Sequence, residues 1–286
     1  MLSNRKENTE NKSEYKIKRL RTRSGYVFSM LLMAVILLLS LMLSASMGVA
    51  GGSFGMLMHT LAHPGRTSEI GRIMLEMRMP RALAACFTGA AFSLAGGVMQ
   101  GVTGNPLADA GLLGINAGAG FFVALTAVLL PSMTALGTTV SAFLGAATAV
   151  LMVYGLGMGR HKTGTIRLIL AGSAVSAFLT ALSQGISLAF GLSKSLSFWA
   201  AGSLSGITWR HFILTAPWII AGGFISLVLS RRLSVLALGE ESAAGLGVNV
   251  RRLRLAGITA VLIMAGASVS LVGGISFIGL IVPHSV

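Results

Sequence analysis

Residues 82–103 read ALAACFTGAAFSLAGGVMQGVT, a stretch with no charged side chain and with apolar or small residues at almost every position. An α-helix advances about 1.5 Å per residue, so roughly 20 such residues cross a hydrocarbon layer of about 30 Å. The stretch therefore predicts a membrane-spanning helix. Runs of the same kind occupy 26–48, 111–131, 135–156, 165–190, 212–230 and 255–273, which predicts seven complete spans. An eighth run opens at about Ser276 and reaches Val286 before it is long enough to cross, so the sequence reads as truncated. The composition agrees: 54% of the residues are hydrophobic and 10% are charged, against about 25% charged in a soluble domain. The expected fold is an all-α polytopic membrane protein, a compact multi-helix bundle forming one transmembrane domain over 26–286 behind a basic tail at 1–25.

The net charge of +14 raises nucleic acid as a partner until the charges are placed. Eight of the 22 Lys and Arg lie in the first 23 residues. Others, Arg160, Lys162, Arg167, Arg231, Arg232, Arg251, Arg252 and Arg254, fall between apolar runs on alternate connections. That is the positive-inside pattern, which excludes a nucleic-acid surface and puts the N-terminus in the cytoplasm. The remaining basic residues, Arg66, Arg72, Arg78, Arg81, Lys194 and Arg210, then lie outside and call for a different reason.

The 37 glycines fit helices that approach closely, with small-residue pairs at Gly97 and Gly101, Gly114 and Gly118, Gly155 and Gly159, and Gly202 and Gly206. Catalytic classes find little support. No Gly-Lys pair exists to form a nucleotide-binding loop, so ATP dependence requires a separate subunit. His59 and His63 are four apart without a Glu between them, and Cys86 stands alone in an apolar run. All eight acidic residues lie in the tail or the connections. That disfavours an ion-coupled secondary transporter, which keeps carboxylates inside its spans, although discontinuous helices with amide-lined ion sites leave that alternative open.

Three stretches carry a resemblance. The first runs from Arg78-Met79-Pro80-Arg81 through Gly96-Gly97-Val98-Met99-Gln100 and Asn105-Pro106-Leu107-Ala108-Asp109 to Gly111-Leu112-Leu113-Gly114. The second is Trp199-Ala200-Ala201-Gly202-Ser203-Leu204, with Leu238-Gly239-Glu240-Glu241-Ser242-Ala243-Ala244-Gly245-Leu246-Gly247 after it. The third is Gly273-Gly274-Ile275-Ser276-Phe277-Ile278-Gly279-Leu280-Ile281-Val282-Pro283-His284. In order and spacing these resemble the permeases of iron-siderophore and cobalamin importers, the FecCD type. Ala110 stands where that family usually has proline and Ser276 where it has glycine. The resemblance implies a ten-span permease in the bacterial plasma membrane. It implies a dimer with an identical or homologous permease subunit, two cytoplasmic ATPase subunits that use ATP and Mg, and an extracytoplasmic substrate-binding protein. The chain itself is then expected to hold no cofactor or metal and to be no enzyme, its other contacts being with membrane lipid.

Residue roles follow as expectations. Arg78 and Arg81, three apart at the outer start of the second span, suit carboxylates on the binding protein, with lipid headgroups as the other reading. Glu240 to Val250 resembles the coupling segment that meets the ATPase. Its contacts are expected from Glu240, Glu241, Ala244, Gly245, Leu246 and Gly247, the glycines allowing a tight turn between two short helices and Leu246 and Val248 entering a groove; a solvated loop is the alternative. Proline disfavours helix in the residue before it, so the chain breaks at Asn105-Pro106. Asn105, Pro106 and Leu107, with Gln100, Thr163 and Thr165, form a candidate cytoplasmic constriction, against which stands plain helix termination.

Overall fold

The computed structural model describes residue 25 and residues 27–49, 51–63, 68–157 and 164–285. The basic tail over 1–24 and Thr163 lie outside the described residues. Among the described residues every regular element is helical. The chain divides into two compact units, Met1–Arg78 and Met79–Val286.

In the first unit α1 is Val27–Ser46, long and apolar enough to cross a membrane. Two short capped helices follow, α2 (Phe54–Ala62) and α3 (Glu69–Ile73). The hydroxyls of Ser53 and Ser68 accept from the amides of Met56 and Gly71, supplying acceptors that a helix start otherwise lacks. Ala45, Leu57 and Met74 make the small core. A π-helical turn, Met74–Arg78, closes the unit.

The second unit is a bundle of α4 (Met79–Thr103), α5 (Ile115–Leu129), α6 (Ala135–Gly157), α7 (Gly164–Ala189), α9 (Trp209–Leu236) and α11 (Val250–Val272). Shorter pieces join them: a 3₁₀ turn at Ala110–Leu113, α8 (Ser193–Ala201), α10 (Glu240–Gly245) and α12 (Ile278–Ser285). The centre is α11, whose span window is 67% buried against 28% for α9. Met99, Val102, Leu113, Ile115, Val153, Val261, Met264 and Val269 are fully enclosed around it. Several hydroxyls inside the helices return to carbonyls four residues back, as in Thr103 to Met99, Ser226 to Gly222 and Ser268 to Met264, which pairs them in an apolar surround, whereas the buried hydroxyl of Thr88 in α4 has no partner.

Three expected boundaries are corrected. The run 111–131 is not one helix: Gly114 takes φ 72°, and the straight part, Ile115–Leu129, has 15 residues. The sixth span extends to Leu236 and the seventh starts at Val250, so Arg231, Arg232, Arg251, Arg252 and Arg254 belong to helices and not to the loop between them. Long arginine stems reach along a helix to water, so their charge does not end it. Of the glycine pairs in sequence register, Gly118 and Gly202 sit at close backbone approaches, whereas Gly97, Gly155 and Gly206 do not. A Cβ on Gly96 would collide with the Gly279 carbonyl where α4 crosses α12, and one on Gly118 would collide with the Gly145 carbonyl where α5 crosses α6. A Cβ on Gly97 or Gly155 meets nothing.

Gly96→Ala is therefore expected to lower stability by about 1–3 kcal/mol through overpacking. Gly97→Ala should be neutral or slightly stabilising, because alanine is the better helix former by up to about 1 kcal/mol. Thermal melting of the two variants in detergent checks this, and equal melting temperatures would contradict the assigned crossing.

Candidate functional site

After α7, Gly191 at φ 67° turns the chain and α8 runs back toward α5, placing Trp199 where a Cβ on Gly120 would touch its ring at 3.2 Å. The end of α8 is then bonded to the end of α11 by backbone alone. The Ser203 amide donates to the Val272 carbonyl at 2.8 Å and the Gly274 amide to the Trp199 carbonyl at 3.3 Å. This seam admits no side chain: a Cβ on Gly274 would lie 2.6 Å from the Ala200 carbonyl oxygen, and one on Gly202 would lie 2.7 Å from that of Gly274. Asn116, in the first turn of α5, donates through Nδ2 to the Ile275 carbonyl at 2.8 Å, while its Oδ1 is buried without a partner. Phe277 holds φ 70°, an unusual value for a non-glycine residue, as the chain enters α12.

These elements line an open cavity of about 650 Å³. Its polar lining comes from Asn116, Thr180, Ser183, Gln184, Ser187 and Ser197, with Trp199 and Leu188 as apolar wall. The lining is neutral throughout: hydroxyls and amides that exchange weak hydrogen bonds, with no carboxylate, ammonium or imidazole to move a proton or fix an ion. Ser173, Thr180 and Gln184 lie on one stripe of α7 and are exposed. Among the described residues no group of three His, Cys, Asp or Glu could hold a metal. His59 and His63 stack on each other at 4.8 Å.

At the opposite end of the bundle, α9 hands over to α11 through α10. Gly239 at φ 109° opens the turn, and the Gly247 and Val248 amides close it on the carbonyls of Ala244 and Ala243 at 2.9 and 3.0 Å. That is a Schellman end, with Gly247 at the left-handed position. Asn249 then caps α11, its Oδ1 accepting from the Arg252 amide at 3.0 Å. The expected pair of short helices is thus a single one. Its tight turn uses Gly239 and Gly247, whereas Gly245 is helical. Glu241, Ala244, Gly245, Leu246 and Gly247 are exposed, Leu246 to 69%. Glu240 is exposed as well and pairs with Arg254 on α11, and Arg254 also donates through Nε to the Val102 carbonyl of α4 at 3.4 Å. Val248, expected beside Leu246 in a groove, packs against the core.

The other expected site residues are dispersed. Asn105 accepts the Leu107 amide on its own Oδ1 at 2.9 Å, closing the turn after α4, and Pro106 and Leu107 are exposed. Gln100 has its Nε2 buried without a partner. Thr165 lies in the first turn of α7. Arg81 is half-buried in the first turn of α4, its Nε without a partner. Arg78, expected to present an open guanidinium, is 9% exposed and donates to the carbonyls of Ser46 and Gly51, each at 2.8 Å. A Cβ on Gly48 would lie 2.6 Å from its guanidinium carbon, so the loop after α1 is moulded to this side chain. The cavity residues escaped the sequence reading, although polar residues recurring within 165–190 were the available signal.

The sequence model of the FecCD transport family matches residues 32–286. The chain belongs to the FecCD transport family. It is 34% identical over 295 residues to the iron(3+)-hydroxamate import system permease protein FhuB of Bacillus subtilis (strain 168), covering 99% of this chain and 76% of that one. It is 43% identical over 216 residues to the ferric enterobactin transport system permease protein FepD of Escherichia coli (strain K12), covering 74% and 64%. The hemin transport system permease protein HmuU of Yersinia pestis matches at 36% over 275 residues, covering 91% and 79%. A solved metal-chelate type ABC transporter in an inward-facing conformation shares the fold, with TM-score 0.74 and 24% identity over 88% of this chain and 78% of that one. This FecCD chain is thus a multi-pass membrane permease, and the seam places its second and third motif stretches against each other.

If the seam and the Asn116 bond hold the segment 273–277 in place, Asn116→Leu should cost about 1 kcal/mol of stability. It should also raise the rate at which a cysteine placed at Ser276 reacts with a water-soluble thiol reagent, in a background with Cys86→Ala. An unchanged labelling rate would show that Asn116 does not fix that segment.

Proposed function

We propose that this permease is the membrane subunit of an ATP-driven importer carrying a ferric siderophore, with haem and cobalamin as the next candidate cargoes. The single observation behind the transport path is the polar stripe of Ser173, Thr180 and Gln184, exposed along a span-length helix and running into the neutral cavity. Ser173 returns its hydroxyl to the Ile169 carbonyl at 3.1 Å, but hydrocarbon offers no partner to Thr180 and Gln184, so the stripe belongs against protein or water. A second permease subunit, identical or homologous, would close this face into a conduit. Its neutral walls let a large polar chelate pass without being held, which leaves selectivity to an extracytoplasmic binding protein.

Energy then enters through α10. Leu246 stands proud of the surface on a turn whose ends are fixed by backbone bonds, a shape that fits a groove on a cytoplasmic ATPase. Arg254, near the start of α11, ties α10 through Glu240 and reaches the Val102 carbonyl in the last turn of α4, just before the break at Asn105-Pro106. Movement of α10 under nucleotide-driven closure of the ATPase is thereby passed to the end of α4, where this reading puts the inner constriction, at Gln100, Asn105 and Leu107. In this reading the chain lies in the bacterial plasma membrane with its N-terminus and α10 in the cytoplasm. Arg81 contributes to binding-protein docking from the other side. ATP and Mg are used by the partner ATPases, and this chain binds neither.

The names of the relatives support an imported iron chelate, since those proteins are permeases for ferric hydroxamate, ferric enterobactin and hemin. The test is co-expression with a cognate ATPase and reconstitution into lipid discs and vesicles with a binding protein loaded with ferric siderophore. Leu246→Asp is expected to abolish copurification of the ATPase. Arg254→Met is expected to leave the complex assembled but to reduce chelate transported per ATP hydrolysed by about tenfold, the scale of an allosteric coupling of 1–3 kcal/mol. Failure of any ATPase to associate with the unaltered permease would sink the importer reading.

A further inference from the structure

A second cavity, of about 510 Å³, opens beside the turn after α10. Its walls divide by chemistry. Arg232 of α9 and Arg252 of α11 stand at its edge, Leu229, Leu253 and Ala256 form the apolar side, and the turn Leu246–Asn249 completes it. Both arginines are exposed, and among the described residues the ion pair at this end is the one between Arg254 and Glu240, which leaves neither Arg232 nor Arg252 matched to a carboxylate. Asn249 starts a 23-residue helix here, so the positive end of its dipole adds to the two guanidinium groups. Beyond the arginines, α9 continues as an exposed apolar face through Phe224, Leu227 and Val228, and α11 through Leu255. Two planar cationic forks, a helix start and an adjoining strip of aliphatic surface together match a phosphodiester attached to hydrocarbon.

We propose that this cavity is a binding site for one anionic phospholipid from the leaflet on the α10 side, its phosphate held between Arg232 and Arg252 and its acyl chains lying along Leu229, Leu253 and Ala256. The lipid would brace the junction of α9, α10 and α11, touching the turn Leu246–Asn249 from the cavity side. The site does not depend on which cargo the permease carries. A phosphate-bearing ligand at these arginines has two sources, the lipid and free phosphate, and the experiment separates them.

The purified chain in neutral detergent would be titrated with phosphatidylglycerol or phosphatidylcholine and the bound lipid counted by native mass spectrometry. The expected result is one phosphatidylglycerol retained at least tenfold more tightly than phosphatidylcholine, unaffected by excess inorganic phosphate. Arg232→Gln with Arg252→Gln should remove that preference, while Arg231→Gln with Arg251→Gln, which lie outside the cavity, should keep it. Arg232→Lys with Arg252→Lys, which preserves the charge, serves as the folded reference and should retain most of the binding. Equal loss in both glutamine pairs would reduce the site to a diffuse basic surface and overturn it. Displacement by inorganic phosphate would assign the cavity to a free anion and overturn the lipid. Complete loss of phosphatidylglycerol on assembly with the ATPase would give the cavity to that protein and overturn the lipid as well.

Discussion

A peptide group that leaves a helix inside an apolar solvent has no water to bond, and much of this molecule is organised by that one constraint. The chain breaks its helices at the Asn105 to Gly114 connection, at the return into α8, and between α11 and α12. Each break is sealed by backbone or by a short side chain. Asn105 and Asp109 accept the amides of Leu107 and Ala110 at the first. At the others the seam between residues 199–203 and 272–274 does the same work, with Asn116 closing the Ile275 carbonyl. Sealing by backbone needs backbones within a few ångströms of one another, which is why glycine occupies both sides of the seam.

From that constraint the functional surfaces follow. Breaking α8 back into the bundle leaves a cavity flanked by the hydroxyl and amide side chains of α7, and breaking the chain after α9 produces the projecting α10 turn. The two lie at opposite ends of α7 and α11. Arg254 connects the second to the end of α4, so a force on α10 meets a packed bundle instead of a loose loop. Where helices cross at Gly96 and Gly279, the absence of side chains leaves no soft layer to absorb such a movement.

The spans were legible because runs of about 20 apolar residues have few other meanings, and the family was legible because its three stretches keep their order. The extents of α9 and α11 were not. Arg231, Arg232, Arg251 and Arg252 looked like punctuation between spans, yet a long stem carries its charge to water without ending the helix. Arg78 shows the converse error: an arginine beside a span reads as exposed, and only the fold reveals that Ser46, Gly48, Gly51 and Gly52 surround its guanidinium. The cavity was invisible because its residues come from α5, α7, α8 and the segment after α11, and no local pattern links Asn116 to Ile275. Leu246, expected to enter a groove, is exposed, whereas Glu240, also exposed, is paired with an arginine from the next helix that no local pattern links to it.

The central claim is that the polar stripe of α7 lines a water-accessible path closed by a second subunit. Single cysteines at Ser173, Thr180 and Gln184, and at Phe178 and Leu182 for contrast, would be exposed in the assembled transporter in lipid, with Cys86→Ala, to a water-soluble thiol reagent. The account predicts rapid labelling at Ser173, Thr180 and Gln184, protection of the same positions when the binding protein or nucleotide closes the path, and little labelling at Phe178 and Leu182. Labelling confined to Phe178 and Leu182, or absent from the stripe in every state, would contradict it.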